Sequence, residues 1–281
     1  MKQLAFITAF IFCMTAGLAT AKDNPWETRL PFKKGTIQYK ITGSQNGTET
    51  LYIKDFGRTT ARHQTVSMNL FGMKQTTEEI EITTPEWIYH VDLTDRTCEK
   101  SANPTKYMID EFNTLSKKDK KKILKKTEEQ GSQIIEGVNG SIQIKGTKVL
   151  GYTCDVVTVM GAKTYCFTGT SVVLKSEADI MGMKITSTAT DIQKGQPAAT
   201  HFQVPQGIQV HHNARADAMA KEMAQATIQQ LLDNNNTTAM PQADQQQRHK
   251  AIQEDMKNNP GENMPDMQQM MDLMKQFGKE N

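Results

Sequence analysis

Apolar residues recur at every second position through much of 35–93 and again through 142–210. That period places successive side chains on opposite faces of a strand. Thr36 to Ile41 alternates cleanly, and Ser44-Gln45-Asn46-Gly47 supplies turn chemistry before Thr50 to Ile53. Asp55-Phe56-Gly57 marks another turn, and Arg58 to Met68 is a third, more polar strand. Thr76 to Ile82 and Trp87 to Asp92 follow, separated by Pro85. In the second region, Val149 to Met160 and Lys163 to Phe167 form a hairpin around Gly161-Ala162. Val172 to Ile180 and Met183 to Ile192 form another around Met181-Gly182, and a last extended piece runs through His201 to Pro205. Tight turns in place of helical crossovers predict an antiparallel sheet with one face in water.

Helical spacing interrupts these strands twice. Pro104 suits a helix start, and Tyr107, Met108, Phe112 and Leu115 give it an apolar face. Ser116 is an N-cap for a second helix that is predicted to stop at Gly131. Seven of the ten residues from Lys117 to Lys126 are lysine. A solvated helix face explains that run, with Ile123 and Leu124 buried; binding to anionic headgroups is the other reading. Residues 213–281 change composition, holding nine of the 17 methionines and a single aromatic, Phe277. They read as a Met- and Gln-rich, partly mobile tail of separate helices outside the main core, with breaks at Asp233–Thr238 and Asn258–Gly261. The predicted fold class is therefore mainly β with helices (α+β), followed by a helical C-terminal tail.

The first 21 residues carry an early Lys2, an apolar stretch from Leu4 to Leu18 and the small-x-small triplet Ala19-Thr20-Ala21. These are the parts of a secretory signal peptide, cleaved near Ala21. The run is shorter than the ~20 apolar residues needed to cross a bilayer, so the chain is expected not to span a membrane. The chain thus divides into 1–21, a sheet domain over 22–212 and the tail over 213–281, with export to the periplasm or an equivalent compartment. A net charge of +2, from 33 basic and 31 acidic residues, gives no electrostatic case for a nucleic-acid partner.

Export makes a disulfide feasible among Cys98, Cys154 and Cys166. A two-residue turn at Gly161-Ala162 would set Met160 opposite Lys163, so Cys166 would face Val157 and Cys154 would face Gly169. Cys154 and Cys166 then project from opposite faces. Cys98–Cys166 is the favoured bridge on that register, with Cys154 a buried thiol; a three-residue loop would restore Cys154–Cys166.

Three stretches carry a family likeness. They are GTIQYKITGSQNGTETLYIKDFGRTTAR, then LGYTCDVVTV with TYCFTGTSVVLKSEADIMGMKITSTATDI, then FQVPQGIQV. Together they resemble the periplasmic carrier and sensor superfamily typified by the outer-membrane lipoprotein carrier LolA, and more closely an exported branch of it. The resemblance spans about two thirds of the chain. It implies a curved antiparallel half-barrel capped by helices, here the Pro104–Gly131 pair, whose concave face holds acyl chains or an apolar segment.

No nucleophile elbow, Walker loop, HExxH or dinucleotide fingerprint occurs, so the chain reads as a non-enzyme without a cofactor. Trp87, Tyr89 and Val91 share one strand face, as do Tyr165 and Phe167. These five are the candidate cavity residues if the sheet is an open half-barrel. The expected partner is a lipid or lipoprotein acyl chain. The rival reading is an interaction or metal-handling protein acting through its tail. There Met264, Met267, Met270, Met271 and Met274, three and four apart, could hold Cu(I) or dock a protein partner. Docking is the favoured use of that face, and no metal is favoured. His201, His211 and His212 read as solvated.

Overall fold

A computed structural model describes residues 24–27, 29–70, 73–137, 140–159, 162–180 and 183–233. The signal-peptide segment, the linkers and the methionine cluster of the tail lie outside the described residues. So does everything from residue 234 on.

Twelve strands form one sheet that is not closed. They are β1 (Gly35–Gly43), β2 (Gln45–Lys54), β3 (Thr59–Leu70), β4 (Met73–Thr83), β5 (Trp87–Asp92), β6 (Thr97–Ala102), β7 (Ser141–Val149), β8 (Tyr152–Val159), β9 (Ala162–Phe167), β10 (Val173–Ile180), β11 (Met183–Lys194) and β12 (Gln209–His212). Their order is β12-β6-β5-β4-β3-β2-β1-β11-β10-β9-β8-β7. Consecutive strands pair through hairpins, as the alternation predicts, and β1 with β11 joins the two hairpin series. One expectation is corrected. The sheet is mixed, because β12 runs parallel to β6. The chain leaves β11 beside β1 and crosses to the far edge through residues 195–208, where β12 enters beside β6 in the same direction. Three strands lie outside the sequence pattern, β7 among them because it ends at Val149, where the first strand of that region is expected to begin. β6 carries polar residues at most positions, and the 201–205 piece is a 3-10 turn (Ala199–Phe202) with the strand displaced to β12.

The turn between β1 and β2 is tighter than its sequence suggests. Gln45, Asn46 and Gly47 are already paired with Met68, Ser67 and Val66, and the turn falls at Gly43, whose φ is +114°. Gly47 instead allows close approach of β3: a Cβ there would lie 2.0 Å from the Thr65 carbonyl oxygen. Backbone cannot yield as a side-chain tip can. Gly47→Ala is therefore expected to cost about 1–3 kcal/mol or more, read as a lowered urea midpoint.

Among the described residues the buried apolar side chains gather in three clusters. Ile37, Tyr39, Leu51, Ile53, Leu174 and Ala189 pack with Leu30 and Phe32 in the first. Ala61, Ile80, Ile82, Val91 and Cys98 form a second, with Tyr52 and Tyr89 beside them. Leu51 and Tyr52 are neighbours on β2, so these clusters lie on opposite faces. Phe202, Val204 and Ile208 of the crossing segment cover the second.

The third cluster is helical. Helices α1 (Pro104–Thr114), α2 (Lys117–Gly137) and α3 (Ala214–Leu232) bury Met108, Phe112, Ile123, Ala224, Ile228 and Leu231 against one another. Asn103 caps α1, Ser116 caps α2 and Asn213 caps α3 through side-chain oxygens that accept from Thr105, Asp119 and Ala216 amides. α2 runs on through Gly131 to Gly137. Two corrections follow. Ala214–Leu232 belongs with α1 and α2 and is not a segment apart from them. Within the lysine run, Lys122 and Lys126 donate to the Leu232 and Asp233 carbonyls at the end of α3. These two lysines cap a helix C-terminus, where a cation is favoured.

Candidate functional site

Side chains alternate between sheet faces, and the strand registers carry one set across the sheet. Ile142 pairs with Val157, Val157 with Thr164, Thr164 with Ser176 and Ser176 with Ser187. Ser187 pairs with Ile41, Ile41 with Gly47 and Gly47 with Val66. A second row, one step nearer the hairpin tips, runs Val159, Ala162, Ala178 and Ile185. Met68, Met73 and Met183 extend the set. The residues between them face the other way and are polar: Lys163, Glu177, Thr186 and Thr42 in one line, Ser67 hydrogen-bonded to Thr76 in another. Toward the hairpin tips, from β4 across to β7, the sheet thus has one wet face and one face rich in aliphatic side chains, on which Gln45, Gln75 and Thr77 also lie.

An apolar face in a finished core would be buried, yet this one is largely half-open. Met73 is 71 % and Met183 39 % exposed. Val66, Met68, Ile142, Val159, Ala162, Ala178 and Ile185 are half-buried, whereas Ile41 and Val157 are buried. Toward the first cluster the same face becomes closed and polar at its edge. Tyr39 lies opposite Glu49, whose carboxylate is 3.6 Å from Arg62. The Tyr39 hydroxyl donates to the Val173 carbonyl at 2.8 Å. Burial, then the Glu49 charge, raise the Tyr39 pKa far above the ordinary tyrosine value, so the phenol stays a proton donor. Arg62, Glu81, His90 and Glu99 continue as directly opposed pairs toward β6.

The five residues proposed from sequence do not line this face. Trp87, Tyr89 and Val91 register through Ile82, Ala61 and Tyr52 on the opposite side. Val91 is core there, with Tyr89 against it. Trp87 instead stacks under the Lys100 ammonium, 3.6 Å from the ring centroid, and meets His212 edge-on. Tyr165 also faces away from Thr164 and bonds Glu177 at 2.9 Å. Phe167 is buried between Phe32 and Tyr152. The aliphatic set of this face lies in residues such as Val157, Val159, Ile185 and Val66. Aliphatic alternation of this kind is fainter than a pair of large rings, and the rings draw a sequence reading away from it.

The favoured disulfide is corrected. Cys98, Cys154 and Cys166 are buried thiols. The β8–β9 turn closes one residue earlier than predicted, at Val159 opposite Ala162, so Cys154 faces Phe167 and Cys166 faces Asp155. The shift by one full pair keeps Cys154 and Cys166 on opposite faces. Cys98 cannot meet Cys166 because seven strands lie between β6 and β9 in the sheet order. Burial raises the pKa of Cys98 and Cys154, which keeps them protonated and weakly nucleophilic.

His211 and His212 are exposed, as expected, whereas His201 is half-buried. His201 stacks on Tyr52 with ring centroids 3.8 Å apart, and its carbonyl lies 3.1 Å from His63 Nε2. His212 Nε2 is 2.6 Å from Asp217, which also accepts the Ala102 amide. Among the described residues no group of three or more His, Cys, Asp or Glu side chains could hold a metal ion, and no helix is long and apolar enough to cross a membrane. Burial and then the neighbouring His63 lower the His201 pKa, so the fold prefers the neutral ring. The unfolded chain then binds the proton more readily. Stability is full above the ordinary histidine pKa of ~6.5 and falls as pH drops through it toward the depressed folded value. Melting curves from pH 7.5 to 5 should show a larger loss for the parent than for His201→Phe, which keeps a ring on Tyr52 without the proton.

No family model matches the chain, and no curated protein matches it. Among solved structures, an uncharacterized conserved protein from Thermus thermophilus is similar over 65 % of this chain and 92 % of its own, with 8 % identity and a TM-score of 0.37. PNGF-II is similar over 70 % of this chain and 33 % of its own, with 9 % identity and a TM-score of 0.31. The chain therefore spans about a third of PNGF-II.

Proposed function

We propose that this protein is a non-enzymatic, carrier-like binding protein that acts in the periplasm or an equivalent exported compartment. It buries an apolar ligand, a lipid or acyl chain, against the concave face of a half-barrel formed by the open sheet, with the helices as its cap. The observation that carries this reading is the half-open apolar face from β4 across to β7, backed toward the hairpin tips by a polar reverse side. Each ligand CH₂ covered there contributes ~0.8 kcal/mol. The binding is reversible because hydrocarbon contact is non-directional and the sheet has an open edge.

Mass spectrometry of lipids that co-purify with the exported, full-length protein tests the reading, followed by delipidation and reloading with fatty-acyl probes and lipopeptides. Recovery of a defined lipid and saturable reloading are expected. A delipidated sample that takes up neither probe class overturns it.

A further inference from the structure

Inside the apolar face, Thr164, Ser176 and Ser187 are direct neighbours on β9, β10 and β11. Their hydroxyls make a short polar line beside the aliphatic side chains of Val157, Val159, Ile185 and Ile41. Thr164 is 4 % exposed, and its Oγ1 is the buried side-chain oxygen or nitrogen without a hydrogen-bond partner among the described residues. Buried hydroxyls are nearly always satisfied, so a specific exception requires an explanation. Valine would fill the same volume without the unmet donor. Ala162 and Ala178 oppose each other one step toward the tips, so the neighbours in register on that side are small.

We propose that Thr164 is a specificity-determining residue. Its hydroxyl donates to an acceptor oxygen of the ligand, so that the face selects amphiphiles whose ester or carboxyl carbonyl enters the apolar surface over ligands that are hydrocarbon at that depth. Ser176 and Ser187 continue the polar line for a glycerol or second oxygen. This rests on the carrier reading and adds a chemical class to it.

The test uses delipidated full-length protein loaded with the apolar dye N-phenyl-1-naphthylamine. The competitors are monopalmitoyl glycerol and the matched hexadecyl glycerol ether, which lacks the carbonyl. The ester is expected to displace the dye at about tenfold lower concentration than the ether, the effect of one hydrogen bond. Thr164→Val should erase that preference by weakening the ester alone, Thr164→Ser should restore it, and ligand-free Thr164→Val should melt no lower than the parent. Equal displacement by ester and ether in the parent, or equal weakening of both in Thr164→Val, overturns the inference while leaving the carrier reading intact. So does a large drop in ligand-free melting temperature for Thr164→Val, since it would reveal an internal partner for the hydroxyl. Failure of dye and both competitors to bind at all overturns the carrier reading itself, and this inference with it.

Discussion

Ile185→Lys should leave the protein folded and reduce its uptake of an acyl probe by about a hundredfold. Ile185 is half-buried and lies between Ala178 and Gly43 in register, near the middle of the apolar face. A lysine can be accommodated without ligand because its ammonium reaches water along a flexible stem. Once an acyl chain covers the site, that ammonium must be desolvated without a partner or the chain must be displaced. A penalty of about 3 kcal/mol corresponds to two decades in Kd. Thr186→Lys is the control. It adds the same charge one residue away, on the face already bearing Lys163 and Glu177, and should alter neither affinity nor melting temperature measurably. Fluorescence titration of both variants beside the parent is the measurement. Equal losses in both would mean that net charge, and not the apolar face, governs uptake.

The second large effect is on stability. Phe112 is 1 % exposed, and Trp26 meets it edge-on with centroids 5.6 Å apart. Ile123, Ile228 and Leu231 surround it within the helical cluster. Phe112→Ala should cost about 3–5 kcal/mol by lost transfer energy and an unfilled cavity. The loss should be local at first, because the sheet clusters do not contain Phe112. Circular dichroism should show helical signal falling before the strand signal, and limited proteolysis should open cleavage sites within Ala214–Leu232. Simultaneous loss of helix and sheet would show that the three clusters unfold as one unit.

Much of the fold was legible because it rests on local chemistry. Alternation in Thr36–Ile41 and Trp87–Asp92 is a direct consequence of strand pleating. Asp55-Phe56-Gly57 marks a real turn, and Pro104 and Ser116 mark real helix starts. Asn46-Gly47 misled for an equally physical reason. The pair suits a turn, but a glycine is also what a strand needs where the Thr65 carbonyl approaches within contact distance. The lysine run reads as expected at Lys117, Lys118, Lys121 and Lys125, which are exposed above a buried Ile123, but a cation has two common uses on a helix. Whether Lys122 meets water or a helix C-terminus depends on what lies beside it, and that neighbour begins about ninety residues later.

The sequence by itself determined that 35–93 and 142–210 must be strands joined by tight turns, that two helices interrupt them, and where several of these elements begin. Periodicity, turn residues and caps act within a few positions, so they survive being read in one dimension. The tertiary structure alone decided which side of each strand forms the open face. It also set the crossing that makes β12 parallel, the separation of Cys98 from Cys166 and the packing of α3 onto α1 and α2. A face exists only when nine strands are in register, and a register shifted by one residue would turn Val157, Ile185 and Val66 to the opposite, polar face. Thr164 shows the same limit. Its hydroxyl is ordinary in the sequence and becomes unusual only when neighbouring strands bury it without a partner.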